Sequence, residues 1–243
     1  MSDLPELVRF LPWDSDFFGK RIARVIPTTL NQVDLDMIDA WGKENRIDCV
    51  YFLSESVGGA ELTPVQKAGF RLMDLRVTFI LHLNKTSDRA ASDFSAIFPA
   101  NLTDIPMLRD IAAQNHRDSR FYSDINFNRA ISDALYATWI EKAVRDPKQK
   151  VFVYRQQGEP IGYVTYSIHE SKYAEIGLVG ISPTCQGKGI GFQLIEFSLQ
   201  QMENDQLCHV TVVTQGKNVA ALNLYEKTGF RILKIESWFH KWY

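Results

Sequence analysis

The chain has 243 residues, 45% of them hydrophobic and 23% charged, which suits one large soluble domain or two modest ones. A formal net charge of −2 supplies no basic excess for tracking phosphates, so nucleic acid is not an expected partner. The opening MSDLPELVRFLPWDSDFF lacks a basic start followed by an apolar stretch, and runs such as VTFIL are far too short to span a bilayer. No membrane partner and a cytoplasmic location are therefore expected. Cys49, Cys185 and Cys208 show no CxxC spacing and read as reduced thiols. Cys49 and Cys208 precede strand-like runs and are expected to be buried. The histidines form no metal-spaced cluster, and no metal is expected.

Taken in chain order, RIARVIP (21–27) reads as a strand, and LNQVDLDMIDAWGKEN (30–45) as a helix with Leu30, Val33, Met37, Ile38 and Trp41 on its apolar face. The run CVYFLSES, a short helix stopping at Gly69 and the strand FRLMDLRVTFILHL follow. Polar, aperiodic residues 84–96 suit a linker between a first lobe, 1–83, and a second, 97–243. The second lobe opens on a helix with Thr103 as N-cap and Pro106 in its first turn. A helix over 128–145 carries Ile131, Leu135, Trp139, Ile140 and Ala143 on one side. Three strands come next (KVFVYRQ, PIGYVTYSIH, YAEIGLVGIS), then a helix from 189 to 203, the strand CHVTVVTQ, a helix from 218 to 227 and the strand FRILKIESWFHKWY. This order predicts an α/β layer structure.

The two lobes echo one another. AGFRLMDLRVTF (68–79) parallels TGFRILKIESWF (228–239), and DCVYFLSES parallels LCHVTVVTQ. A duplicated architecture explains the matched spacing, although a helix-to-strand corner of this kind also arises by chance. Val65 stands where the second copy has Tyr225, and only the second copy follows a glycine-rich loop.

That loop is Gln186-Gly187-Lys188-Gly189-Ile190-Gly191, placed between a strand and an amphipathic helix. Its glycines allow close backbone approach, and the helix start adds about half a positive charge. Such a turn suits a pyrophosphate, with Lys188 adding a full charge. It has neither the GxxxxGK[ST] nor the GxGxxG spacing.

QGKGIG and the downstream NVAALNLYEKTGF (218–230) together resemble the GNAT superfamily of acyl-CoA-dependent N-acyltransferases, over roughly residues 97–243. The resemblance implies a central mixed, mostly antiparallel twisted sheet flanked by helices, with the first lobe a degenerate GNAT-like copy. It implies acetyl-CoA as cosubstrate, its pantetheine arm along Val179, Gly180 and Ile181 and its pyrophosphate on residues 186–191. Asn218 would touch the cofactor or serve only as a helix cap. Tyr225 would protonate the departing thiolate, a role suited to a phenol of pKa near 10, or would be a plain core tyrosine. Glu175 would act as general base through water if buried, or would be an exposed strand carboxylate. Val213 occupies a position often acidic in members that acetylate ribosomal protein termini.

LPWDSDFFGKRIARV (11–25) and SRFYSDINFNRAISDALYATWI (119–140) resemble the two-lobed GNAT members that acetylate the 4-amino group of a nucleotide-linked dideoxysugar. Trp13, Phe17 and Phe18 suit either that role or a core. In RDSRFYSD, Arg117 and Arg120 would hold a sugar-nucleotide pyrophosphate by forked hydrogen bonds, Tyr122 would stack on a ring and Asp124 would accept hydroxyl or ammonium protons. A solvated loop is the alternative. The expected partner is a small-molecule amine, most simply an aminosugar nucleotide; a peptide or protein amine, another amino sugar, and a non-catalytic acyl-CoA-binding module are the alternatives. The aromatic ending WFHKWY suits a buried end, with a homodimer through a C-terminal strand edge as one form of it.

Overall fold

The computed structural model describes residues 6–83, 93–169 and 172–243. The first nine of the linker residues expected at 84–96 lie outside them. One sheet of ten strands runs through both halves of the chain, in the order β1-β2-β3-β10-β4-β9-β8-β7-β6-β5. The strands are β1 (Val8–Phe10), β2 (Ile22–Val25), β3 (Cys49–Ser54), β4 (Arg71–His82), β5 (Ile97–Pro99), β6 (Gln149–Gln156), β7 (Glu159–His169), β8 (Tyr173–Ile181), β9 (His209–Gln215) and β10 (Arg231–Trp242). Pairs β2–β3 and β8–β9 are parallel and the others antiparallel, so the sheet is mixed and mostly antiparallel.

Alternation along the strands divides the core into two layers. Val50 and Phe52 of β3, with Phe239 of β10, pack under helices α2 (Gln32–Glu44) and α3 (Thr63–Lys67). Val210 and Val212 of β9 pack on that same face under α7 (Ile190–Asn204) and α8 (Val219–Lys227). Cys49, Tyr51, Val151, Val153 and Tyr163 point the other way, toward α1 (Pro12–Phe18), α4 (Ile105–Gln114), α5 (Arg120–Ser123) and α6 (Arg129–Arg145).

The echoed phrases are β4 and β10, and they lie side by side. Each strand is inserted beside the strand that precedes the other: β10 pairs with β3, and β4 with β9. Arg76 pairs directly with Glu236, its equivalent 160 residues later, and their side chains form a 2.5 Å ion pair. Pairing of equivalent positions places a pseudo-twofold axis at this bridge, and the sheet is symmetric about it from β2 to β8. The symmetry ends there. Ile22 faces Cys49 as Tyr173 faces His209, so Val25, where β2 stops, corresponds to Ile176. The first half has no counterpart of Gly177–Ile181.

Four local expectations need correction. Helix α2 buries Leu35, Ile38, Trp41 and Gly42, whereas Val33 and Met37 are exposed. Asn101, not Thr103, caps the turn before α4: its side chain accepts the Thr103 N–H, and Asp104 accepts the Asn101 N–H, both at 2.8 Å. Cys208 is exposed; Cys49 and Cys185 are buried. The C-terminal strand has no free edge through which to dimerise, because β10 lies between β3 and β4; its aromatic end is buried within the chain, with Phe239 and His240 at 1% and 0% exposure.

Residues 97–243 produced alone would leave β10 bare on both edges and strip Val77 and Phe79 from the core around β9. The fragment is expected to aggregate and show no cooperative urea transition; a soluble fragment with a sharp transition would contradict the interleaving of β4 and β10.

Candidate active site

After β8 the chain makes one tight turn, Pro183–Cys185, and enters the glycine loop. Gly187 and Gly189 adopt left-handed backbone angles (φ 74° and 81°). Gly189 is the N-cap of α7 and brings no side chain to its first turn, so the N–H groups there are left for something else. A Cβ built on Gly187 or Gly189 meets nothing within 4 Å, so the loop faces open space. Lys188 folds its ammonium back onto the Thr184 carbonyl at 3.1 Å. The Ile190 side chain is buried in the core, leaving only its backbone for a ligand. Gly191 lies where α7 approaches α8, a Cβ there falling 3.4 Å from Leu224.

Beside this loop the sheet opens. Strands β8 and β9 pair from Tyr173–His209 to Ile176–Val212 and no further, while β8 remains paired with β7 up to Ile181. Residues 177–181 therefore turn one bare edge, with its N–H and C=O groups, toward β9. Side chains hold this segment in place. At the bulge the Leu178 N–H donates to the Thr165 hydroxyl at 2.8 Å, and a Cβ on Gly177 would fall 2.8 Å from that same oxygen. At the far end the Ile181 carbonyl accepts from the Asn115 amide at 3.1 Å and the Gln186 amide at 3.2 Å. Gly180 is fixed by packing, since a Cβ there would lie 2.5 Å from the Tyr163 ring. Val179 and Ile181 turn their side chains into the core that contains Tyr225.

Tyr225 on α8 is buried against the rings of Phe79 and Phe230, at 5.7 and 5.8 Å. Burial pushes its phenol upward, so it keeps its proton at neutral pH. Asn218 caps α8, accepting the Ala221 N–H at 3.0 Å. Glu175 is exposed, lies where β8 is still paired with β9 and stands 3.7 Å from His169.

The sequence pattern of the Acetyltransferase (GNAT) family matches residues 107–230, just over half of the chain. Among curated relatives, dTDP-fucosamine acetyltransferase of Escherichia coli O6:H1 is 30% identical, across 95% of this chain and 96% of that protein. The spore coat polysaccharide biosynthesis protein SpsD of Bacillus subtilis is 26% identical, across 95% of this chain and 81% of that protein. The chain belongs to the GNAT family of acetyltransferases. Solved structures agree on the fold. A GCN5-related N-acetyltransferase of Sphaerobacter thermophilus superposes with a TM-score of 0.64 at 13% identity, covering 97% of this chain and 76% of that one. A tandem GNAT protein from the clavulanic acid biosynthesis pathway gives 0.57 at 12% identity, covering 92% and 76%.

On the α4–α6 face of this GNAT enzyme, the four acceptor-side residues expected from the sequence separate. Arg117 is exposed. Tyr122 donates its hydroxyl to Asp133. Asp124 is buried and fully engaged: it accepts from His240 Nδ1 at 2.7 Å, Trp242 Nε1 at 2.8 Å, and the Asn126 backbone and side chain at 3.0 Å each. Burial alone would raise its carboxyl, but those bonds, led by His240, hold it down at about 2, so Asp124 is an internal anchor with no acceptor left for a substrate. Arg120 lies over Trp238 and Tyr51, 4.1 and 4.2 Å from the ring centroids, with Nη1 3.2 Å from His240 Nε2. Burial lowers His240 to about 4, so it is neutral at pH 7, donating through Nδ1 and accepting from Arg120 through Nε2.

The sequence reading missed Asp74. It sits on β4, the strand that the first half lends to the second, opposite Trp238 of β10. Burial pushes its carboxyl up to about 7, against the opposing pull of Lys217 and Arg120. Lys217 is held close by by a 2.7 Å bond to Ser123 of α5. An acid within LMDLRV carries no local mark; only the strand order sets it beside Trp238 and within reach of the charges of Lys217 and Arg120.

Gly189→Val would impose strain of about 1–2 kcal/mol at a left-handed position and thrust a branched side chain into the open space of the loop. Acetyl-CoA binding, followed by calorimetry, is expected to be lost while the cooperative unfolding transition persists; an unchanged affinity would remove the loop from the binding site.

Proposed function

We propose that this enzyme transfers an acetyl group directly from acetyl-CoA to the amine of a nucleotide-linked 4-amino-4,6-dideoxy sugar. The observation carrying the acetyl-CoA assignment is the bare edge of residues 177–181, held open beside an uncapped helix start. In this reading the N–H groups around Gln186–Gly191 hold the coenzyme's diphosphate, and the free edge of β8 at Val179–Ile181 pairs with its pantetheine arm. When bound, acetyl-CoA supplies an activated acetyl thioester. Asn218 borders the same opening from the start of α8. The acceptor assignment rests on near full-length similarity to an enzyme named for dTDP-fucosamine.

Two proton transfers complete the exchange of a C–S bond for a C–N bond. Asp74, whose carboxyl titrates near neutrality, receives the proton of the attacking amine through water. Its burial suits this better than the exposed position of Glu175. Tyr225 gives its hydroxyl proton to the departing thiolate, for which a phenol that stays protonated at pH 7 is matched.

The reading is tested by incubating the enzyme with acetyl-CoA and a panel of amines while following free thiol. Turnover with the aminosugar nucleotide is expected. Turnover only with peptide amines would overturn the acceptor assignment, and coenzyme-dependent thermal stabilisation without any turnover would support a binding module instead.

Tyr225→Phe is expected to lower kcat about a hundredfold while leaving acetyl-CoA affinity near its original value; an unchanged kcat would take tyrosine out of the mechanism. For the native enzyme, kcat/KM should rise with pH through about 7, because a carboxyl raised by burial is protonated and inactive as a base below that point. Asp74→Asn should flatten that limb and depress the plateau by about a hundredfold or more. An intact limb in the variant would assign it to another group.

A further inference from the structure

The first half lacks a glycine loop, yet its strands carry a concentration of positive charge that the transfer chemistry leaves unused. Arg9 on β1 pairs across the ladder with Arg24 on β2, and Arg24 with Tyr51 on β3. The Arg24 guanidinium lies 5.1 Å from the Trp238 ring centroid, on the same residue that carries Arg120 at 4.1 Å. Arg76 lies further along the sheet on β4, paired with Glu236 and two residues from Asp74. Four guanidinium groups thus share one patch of the α4–α6 face, and the charges of Arg120, Arg9 and Arg76 add to burial in making the Arg24 proton less tightly held.

Of the four, only Arg76 has an ion-pair partner among the described residues, and the same Glu236 carboxylate draws on Arg24. Glu236 already binds Arg76 at 2.5 Å and Lys234 at 2.8 Å. Asp14 on α1 faces Arg120 and Arg24, but burial raises its carboxyl and it makes no ion pair among the described residues. Arg9, Arg24 and Arg120 likewise have no carboxylate within ion-pair distance among the described residues. Tyr51, under Arg120, has a buried hydroxyl without a hydrogen-bond partner among the described residues. Holding Arg9, Arg24 and Arg120 together without an ion-pair partner costs free energy, and planar guanidinium groups fit phosphate oxygens two at a time.

We propose that Arg9, Arg24, Arg76 and Arg120 form the binding site for the diphosphate of the acceptor, a nucleoside diphosphate attached to the amino sugar. This rests on the acetyltransferase reading above and gives the first half its part in it. The site places the anionic portion of the acceptor on β1, β2 and the exchanged strand β4. Its amine then reaches toward Asp74 and the opening between β8 and β9. Coenzyme A also carries phosphates, and its loop lies on the other side of that opening, so the two sources are separable.

The experiment is calorimetry with thymidine diphosphate and, separately, with coenzyme A, on the native enzyme and on Arg24→Gln and Arg9→Gln. The native enzyme is expected to bind thymidine diphosphate with an affinity that falls as salt rises. Arg24→Gln should weaken it about tenfold or more, and Arg9→Gln, at an exposed position where folding is not at stake, by a smaller factor. Coenzyme A affinity should be unchanged in both. Unchanged thymidine diphosphate affinity in both variants, or none in a native enzyme that binds coenzyme A, would overturn the proposal while leaving the acetyl transfer reading standing. Equal losses for both ligands would also overturn it, by assigning the arginines to the coenzyme. A failure of the native enzyme to bind coenzyme A would instead strike the acetyl transfer reading itself.

Discussion

A strand that leaves its neighbour part-way along a sheet must find other partners for its backbone or lose the free energy of several hydrogen bonds. Beyond Ile176, β8 meets this constraint on one side only. Strand β7 continues to pair with it, the Thr165 hydroxyl accepts the N–H at the bulge, and the amides of Asn115 and Gln186 hold the Ile181 carbonyl. The edge toward β9 is left over. Without those fixed points the segment would close onto β9 as an ordinary parallel pair, and there would be no opening to occupy. The glycine loop gains its meaning from this edge, since it continues the same strand into an uncapped helix start.

The two halves divide the work unequally around one axis. Both contribute a parallel strand pair, two helices on the same face and one long antiparallel strand. Only the second extends its strand past the paired region, carries the glycine loop and has Tyr225 where the first has Val65. The first half acts through what it lends. Asp74 and Arg76 come to lie beside the second half because β4 is inserted next to β9, and Phe79 packs on Tyr225 for the same reason. His240 and Trp242 of β10 in turn fix Asp124, and through it the end of α5, the short helix that carries Arg120.

Much of this architecture was legible in the residues, and what was not has a common cause. The glycine loop, the helix over 129–145 and the last two strands are marked by local signals: φ-permissive glycines, apolar spacing and alternation. The face of α2 was misread because Val33 and Met37 alternate with Leu35 closely enough that two apolar stripes compete, and only packing against β3 chooses between them. Asp124 looks like a ligand contact in RDSRFYSD because its partners lie 116 and 118 residues downstream. Asp74 was invisible for the mirror-image reason: its surroundings are built from β10, α5 and the turn after β9, none of which is adjacent in the chain. Local chemistry is written locally; strand order is not.

The interleaving of β4 and β10 also bears on how the protein is made. During synthesis, β4 leaves the ribosome before either of the strands that will flank it exists, and β10 is the last to emerge. Until β9 and β10 have emerged, the apolar segment RLMDLRVTFILH has its hydrogen-bonding edges open, the condition under which strands find wrong partners. The first half cannot be finished as a unit while the second is still being made, so the slow, long-range closure of the sheet waits for β10.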